Sequence, residues 1–364
     1  MKLWQIALLV LAGIGYDLIE PGRLTYAFGH ATLYVLLPAL LFEAAWNLRY
    51  RAILRSWPAI LTLAVPGVVL TAILIAGALA VVQVPLRVGL LTGAILAATD
   101  PIGVVAAFRR VRVPLLLRTI VECESLFNDA VAVALYRAVL VAVLANSLDF
   151  GDVARISVVA VAGALGGIAI GVAVAYLIAA ALRYLSNDTV QIAATLFCAY
   201  ATYFAADRLH CSGIFATIAS GIALRWFERK WISLRVAEDV DRFWDVGALV
   251  ANALVFFLVG AALDIGIVVR DPVFVVATLA GVLLARVGLS SLLLPMGYPR
   301  EWLDVIRVAG MRGALSLALA IALPAAVPQR DAIIAATFAV ALATLVSSTF
   351  TVPATVARVA RARR

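Results

Sequence analysis

Continuous apolar runs, each long enough to cross a hydrocarbon layer about 30 Å thick, recur from one end of the chain to the other, separated by short polar joints. Within a run the apolar residues do not alternate with polar ones, and Ala, Leu and Val dominate. A membrane β-barrel needs alternating strands of about ten residues, so the pattern predicts helices. Spans are predicted near 3–18, 29–47, 58–82, 87–108, 117–144, 155–182, 189–207, 211–227, 244–264, 272–294, 303–325 and 332–356. The expected fold is therefore an all-α integral membrane protein of about twelve transmembrane helices. A single transmembrane domain over 1–364 leaves no room for a sizeable soluble domain.

Composition agrees with the pattern: 65% of the residues are hydrophobic, 14% are charged and the mean hydropathy is +1.07. A soluble chain is about half apolar and about a quarter charged. The net charge of +8 raises the question of a nucleic-acid partner, and the placement of the basic residues answers it. With a cytoplasmic N-terminus, 20 of the 29 Lys and Arg fall at the termini and in cytoplasmic turns, as in Arg49, Arg51 and Arg55 or Arg225, Arg229 and Lys230. The opposite turns hold six: Arg23, Arg87, Arg155, Arg208, Arg270 and Arg330. This positive-inside bias predicts both termini in the cytoplasm of a bacterial or archaeal-type inner membrane, with the lipid bilayer as partner and no nucleic acid or nucleotide. Around Gly15-Tyr16-Asp17-Leu18 there is no small-x-small cleavage site, so the first span is expected to be retained. Cys123, Cys198 and Cys211 have no disulfide or metal spacing and are expected to be inert thiols.

Three basic residues remain inside spans, Arg137, Arg286 and Arg312, together with the carboxylates Glu43, Asp100, Glu122, Glu124 and Asp129. Charge in hydrocarbon is costly and marks an interior or a wet path, often an ion route. Snorkelling from a span end is the competing reading. It fits Glu122 and Arg137, near span ends, better than Asp100, Glu124 and Asp129.

Ala98-Thr99-Asp100-Pro101-Ile102-Gly103 falls in the middle of the fourth span. Pro removes a donor and clashes with the preceding turn, so a break is predicted, with a simple kink as the alternative. Read as a restart, Asp100 caps the second half and its carboxylate compensates the positive helix end. A second interruption, Ala309-Gly310-Met311-Arg312-Gly313, lies in the eleventh span, where Arg312 is placed to neutralise exposed carbonyl ends. The two spans run in opposite directions through the membrane. Two broken helices in antiparallel halves point to an inverted-repeat transporter with a midplane site.

The fifth span carries Glu122-Cys123-Glu124-Ser125-Leu126-Phe127-Asn128-Asp129. Residues four apart share a helix face, which stacks Ser125 with Asp129 and Glu124 with Asn128. A hydroxyl and a carboxylate at one spot suit a small hard cation, and a lone carboxylate can instead take a proton. A structural hydrogen-bond cluster is the alternative.

At these residues the chain resembles the monovalent cation:proton antiporter-1 family, the sodium/proton antiporters of NhaP and NHE type. Ala98-Thr99-Asp100-Pro101 resembles that family's unwound-helix motif and Glu124-Ser125-Leu126-Phe127-Asn128-Asp129 its Asn-Asp motif. Leu37 to Ala45, Leu209 to Gly213, Asn252 to Gly260 and Gly310 to Ala314 match in family order over nearly the whole chain. The resemblance matches the first span to the family's second helix, so twelve helices are expected where thirteen is typical, and with Arg364 as the last residue the long regulatory tail of animal exchangers is expected to be absent.

The resemblance implies that Asp129 is the ion- and proton-carrying carboxylate, with Ser125, Asp100, a Thr99 oxygen and Glu43 around it. Of these, Asp129, Asp100 and Ser125 would ligate Na+ or another monovalent cation. It further implies that Asn128 supports the unwound segment, that Glu124 pairs with Arg286, and that a transport bundle moves against a dimerisation bundle in a homodimer. The implied activity is electroneutral exchange of Na+ for H+ by alternating access, serving pH homeostasis, with no resident cofactor. Rivals are K+/H+ exchange or electrogenic antiport on the same fold, and a cation channel. The electrogenic relatives carry Asp-Asp where this chain has Asn128-Asp129, and no filter ring is evident. His30 and His210 stand apart near outer span ends, with structural and pH-sensing readings both open. No constellation of an enzyme is visible.

Overall fold

In a computed structural model of the chain, the described residues are 3–20, 32–108, 111, 113–146, 150–184, 187–231, 234–262, 266 and 270–361. His30 lies outside them. Fifteen α-helices cover most of these residues: α1 Leu3–Ile19, α2 Leu37–Trp46 (entered through a π-helical turn, Thr32–Leu36), α3 Tyr50–Ala64, α4 Pro66–Val81, α5 Leu86–Ala97, α6 Ile102–Phe108, α7 Leu115–Leu144 and α8 Phe150–Leu182. They continue with α9 Asp188–Arg208, α10 Gly213–Trp231, α11 Leu234–Ala261, α12 Pro272–Ser291, α13 Arg300–Val308, α14 Ala314–Ile321 and α15 Arg330–Arg361. Among the described residues, seven helical stretches are long and apolar enough to cross a membrane, and four shorter apolar helices accompany them.

Several ends differ from the sequence expectation, each for a physical reason. The third predicted span starts at Tyr50, not near 58, because the polar residues form an amphipathic turn: Arg51 and Arg55 are exposed while Ala52, Ser56 and Ala59 are buried. The ninth starts at Leu234, not near 244. Its polar residues sit on a helical face, and Asp241 is engaged by Trp46 and Arg225. The eleventh stops at Ile321 rather than 325, ahead of Pro324 and Pro328. There Arg330 Nε donates to the Leu323 carbonyl (2.8 Å) and Nη2 to that of Ile321 (3.2 Å), satisfying carbonyls at a helix end.

The chain divides into two compact units. The first comprises Met1–His30, Ala52–Val153 and Phe256–Arg364. Its core joins Leu63 of α3, Val104 and Phe108 of α6, Leu117 and Ile120 of α7, Leu289 of α12, Ile306 of α13 and Val352 and Val356 of α15. Small residues let backbones close in, as where Gly89 and Gly93 of α5 lie on Ala76 and Ala72 of α4.

The second unit comprises Ala31–Arg51 and Ala154–Val255. Phe42, Trp46 and Trp244 fill its centre with Cys198 and Leu224. Each buried indole finds an acceptor: Trp46 Nε1 donates to Asp241 Oδ1 (2.7 Å) and Trp244 Nε1 to Thr195 Oγ1 (3.0 Å). Arg225 pairs with the same aspartate (2.9 Å) and lies 4.8 Å above the Trp46 ring. Cys198 is buried here and Cys123 in the first unit, whereas Cys211 is half-buried in the turn before α10. His210 occupies the same turn with a left-handed φ of 55°.

Candidate functional site

Two interruptions organise the first unit. The helical path of α5 ends at Ala97, Ala98 is extended (φ −60°, ψ 138°), and α6 begins at Ile102. The cause is local: Pro101 lacks an N–H, and the residue before a proline is pushed out of the helical region. Asp100 Oδ1 accepts the Ile102 N–H (2.9 Å), so its carboxylate caps the start of α6. The second interruption separates Val308, the end of α13, from Ala314, the start of α14, with Gly313 extended. An antiparallel bridge joins the two, the Asp100 N–H donating to the Met311 carbonyl at 2.8 Å.

Arg312 is 4% exposed and reaches the carbonyl ends of the first break, not those of its own. Its Nη1 donates to the Ala97 and Ala98 carbonyls, each at 3.2 Å, and Ser316 Oγ donates to Ala98 at 3.3 Å. The cation thus compensates the negative end of α5 opposite it. Both motif glycines are demanded by close approach. A Cβ at Gly313 would lie 2.6 Å from the Asp100 Cβ, and one at Gly310 would fall on the Arg286 guanidinium.

α7 presents the titratable segment to the first break. Ser125 Oγ donates to the Thr99 carbonyl (2.5 Å), and Asn128 Nδ2 donates to Thr99 Oγ1 (2.7 Å) and to Glu124 Oε1 (3.1 Å). Arg286 Nη1 stands 3.7 Å from Glu124 Oε1. Asp129 follows on the same helix, with one carboxylate oxygen buried and accepting no hydrogen bond among the described residues. Asn128 Oδ1 is likewise buried without a donor. A carboxylate with one oxygen unmet, close to Asp100 and one helical turn from the Ser125 hydroxyl, can take a proton or join an all-oxygen cation shell.

Residues 5–358 match the family described as the sodium/hydrogen exchanger, transmembrane. The chain belongs to that family. Among the exchangers, it is 32% identical over 351 residues to the Na(+)/H(+) antiporter ApNhaP of Aphanothece halophytica, covering 93% of this chain and 66% of that protein. It is 29% identical over 328 residues to the Na(+)/H(+) antiporter NhaH of Halobacillus dabanensis, covering 88% of this chain and 80% of that one. The chain thus spans about two thirds of the length of the first relative. The fold is that of the sodium proton antiporter MjNhaP1 from Methanocaldococcus jannaschii, with a TM-score of 0.79 and 22% identity over 98% of this chain and 91% of that chain. Family membership and the apolar helices make this an integral membrane protein of a transporter family, not an enzyme.

Of the residues singled out in the sequence, Thr99, Asp100, Ser125, Asn128, Asp129, Glu124, Arg286 and Arg312 all lie in the first unit around the two breaks. Glu43 lies in the second unit, where it accepts from Asn47 Nδ2 at 2.7 Å. Glu122 pairs with Arg118 at 2.8 Å. Sequence reasoning missed Ser316 and Thr344, the latter accepting the Arg312 N–H at 3.1 Å. The available signal was a run of hydroxyls, Thr344, Ser347, Ser348 and Thr349, in an otherwise apolar span.

Proposed function

We propose that this protein is a secondary antiporter exchanging Na+ for H+ at one midplane site, electroneutrally and by alternating access. The observation that carries the reading is the buried, unmet Asp129 carboxylate oxygen, one helical turn from Ser125 and close to Thr99 and Asp100, where two helices are interrupted. Proton and cation compete for that carboxylate, since each cancels the charge that attracts the other. The curated relatives named as Na(+)/H(+) antiporters support the choice of ions.

In this reading the interrupted segments belong to an inverted repeat and cross at the site, inside a transport bundle built on the first unit. The second unit, with Glu43, contributes to a dimerisation bundle of a homodimer. The chain crosses an inner membrane about twelve times with both termini in the cytoplasm, a topology supported by its Arg distribution. Asp100, Ser125 and a Thr99 oxygen complete the shell around Asp129, and Glu43 joins it as the bundles move.

Purified protein in liposomes loaded with a pH dye, titrated separately with Na+, Li+ and K+, tests this. Cation-driven proton flux that saturates with Na+ and disappears in Asp129→Asn is expected. Flux that survives in Asp129→Asn, or absence of flux with every cation, would overturn it.

A further inference from the structure

The peptide unit between Met311 and Arg312 is bound at both ends. Its carbonyl oxygen accepts the Asp100 N–H (2.8 Å), and its N–H donates to Thr344 Oγ1 on α15 (3.1 Å). The next peptide unit, between Thr99 and Asp100, is bound in the same way: its N–H goes to Met311, and its carbonyl accepts Ser125 Oγ at 2.5 Å. A continuous hydrogen-bonded path therefore runs from Thr344 through two peptide groups to Ser125. Peptide groups are planar and rigid, so turning one end turns the other. Hydrogen bonds in a row also polarise one another.

The Thr344 hydroxyl is set for this role. Its own hydrogen faces the Val340 and Ala341 carbonyls of its helix (2.8 and 3.1 Å), which leaves a lone pair directed at the Arg312 N–H. That N–H has left helical bonding, and hydrocarbon offers it no water.

We propose that Thr344 is a positioning residue for cation binding. It holds the Met311–Arg312 peptide, which sets the orientation of the Thr99 carbonyl, a ligand under the antiport reading on which this rests. With Thr344→Val the shape stays close, but the Arg312 N–H loses its acceptor. The peptide then rotates to find another, and the Met311 oxygen leaves Asp100. Thr344→Ser keeps the acceptor.

The test compares parent, Thr344→Val and Thr344→Ser in pH-dye liposomes, reading half-saturating Na+ and maximal rate separately. Loss of one hydrogen bond to a buried donor predicts a rise in half-saturating Na+ of about fivefold or more in Thr344→Val. The maximal rate should change much less, and Thr344→Ser should return to the parent value. Parental half-saturation in Thr344→Val, a loss confined to maximal rate, or equal impairment in Thr344→Ser would overturn the proposal. If Thr344→Val does not fold, Thr344→Ala is read in its place, and failure of both to fold marks a stability residue and overturns it too. A parent without cation-driven flux is a different result: it removes the antiport reading itself, and this proposal with it.

Discussion

Arg286 Nη1 lies 3.7 Å from Glu124 Oε1, with both residues more than nine-tenths buried, and the Gly310 backbone passes against the guanidinium. The pair makes no direct hydrogen bond between its members, so it is held by Coulomb attraction and packing.

Removing one buried partner leaves the other uncompensated, which costs about 3–5 kcal/mol, while replacing both is often tolerated. Glu124→Ala should therefore lower the melting temperature of the detergent-solubilised protein, and Glu124→Ala with Arg286→Met should recover part of the loss. Parental stability in Glu124→Ala, with altered half-saturating cation, would instead move Glu124 into the transport site.

Gly310→Ala forces the guanidinium aside, because the added methyl occupies its place. The stability loss should be strongly non-additive with Arg286→Ala, since truncating the arginine vacates the contested space. A coupling of about 1–3 kcal/mol is expected from a double-mutant cycle on residues in contact. Additive losses would mean that the arginine relocates freely and that Gly310 is required for some other reason.

Asp129→Asn preserves size while removing the carboxylate proposed to exchange a proton for a cation. Flux should fall to the level of empty liposomes, and the melting temperature should no longer rise when NaCl replaces choline chloride. A retained Na+-dependent rise would place cation binding on Asp100 and Thr99 without Asp129.

How far these positions could be read in advance depended on where their causes lie in the chain. Asp100-Pro101 carries its own break, since a missing N–H and a steric clash are local. Glu124, Asp129 and Arg286 stand out because charge is expensive in an apolar run. The acceptors of Arg312 could not be read this way: Ala97 and Ala98 are some 215 positions away, and any exposed carbonyl end would have satisfied the same argument. Thr344 was hidden for the opposite reason. A threonine bonded to its own helix is ordinary in a membrane span, and only the Arg312 N–H beside it gives it a second role. Helix starts at Tyr50 and Leu234 were not legible because polar residues interrupt the continuous apolarity of a span there, as Arg51 and Arg55 do in α3.

Stoichiometry joins these residues to the cell's energetics. Asn128 occupies the place beside Asp129 and carries no titrating charge, so the fifth-span pair can exchange only one proton. Arg286 and Arg312 keep their protons throughout, because a guanidinium does not deprotonate in proteins. If Asp100, whose Oδ1 accepts the Ile102 N–H (2.9 Å), remains ionised as the partner of the helix end, it moves no proton of its own. Under the proposed antiport, one proton would then leave for each monovalent cation that enters the site, with no net charge crossing the membrane. Exchange in liposomes should proceed at the same rate with an imposed potential of either sign and need no counter-ion. Asn128→Asp need not make the transport electrogenic, because the Asn128 amide also holds Thr99 Oγ1 at 2.7 Å and a carboxylate cannot donate that bond. A rate that rises and falls with the sign of the potential would defeat one-for-one exchange and would require a second titrating group, for which Asp100 would be the first candidate to replace with Asn.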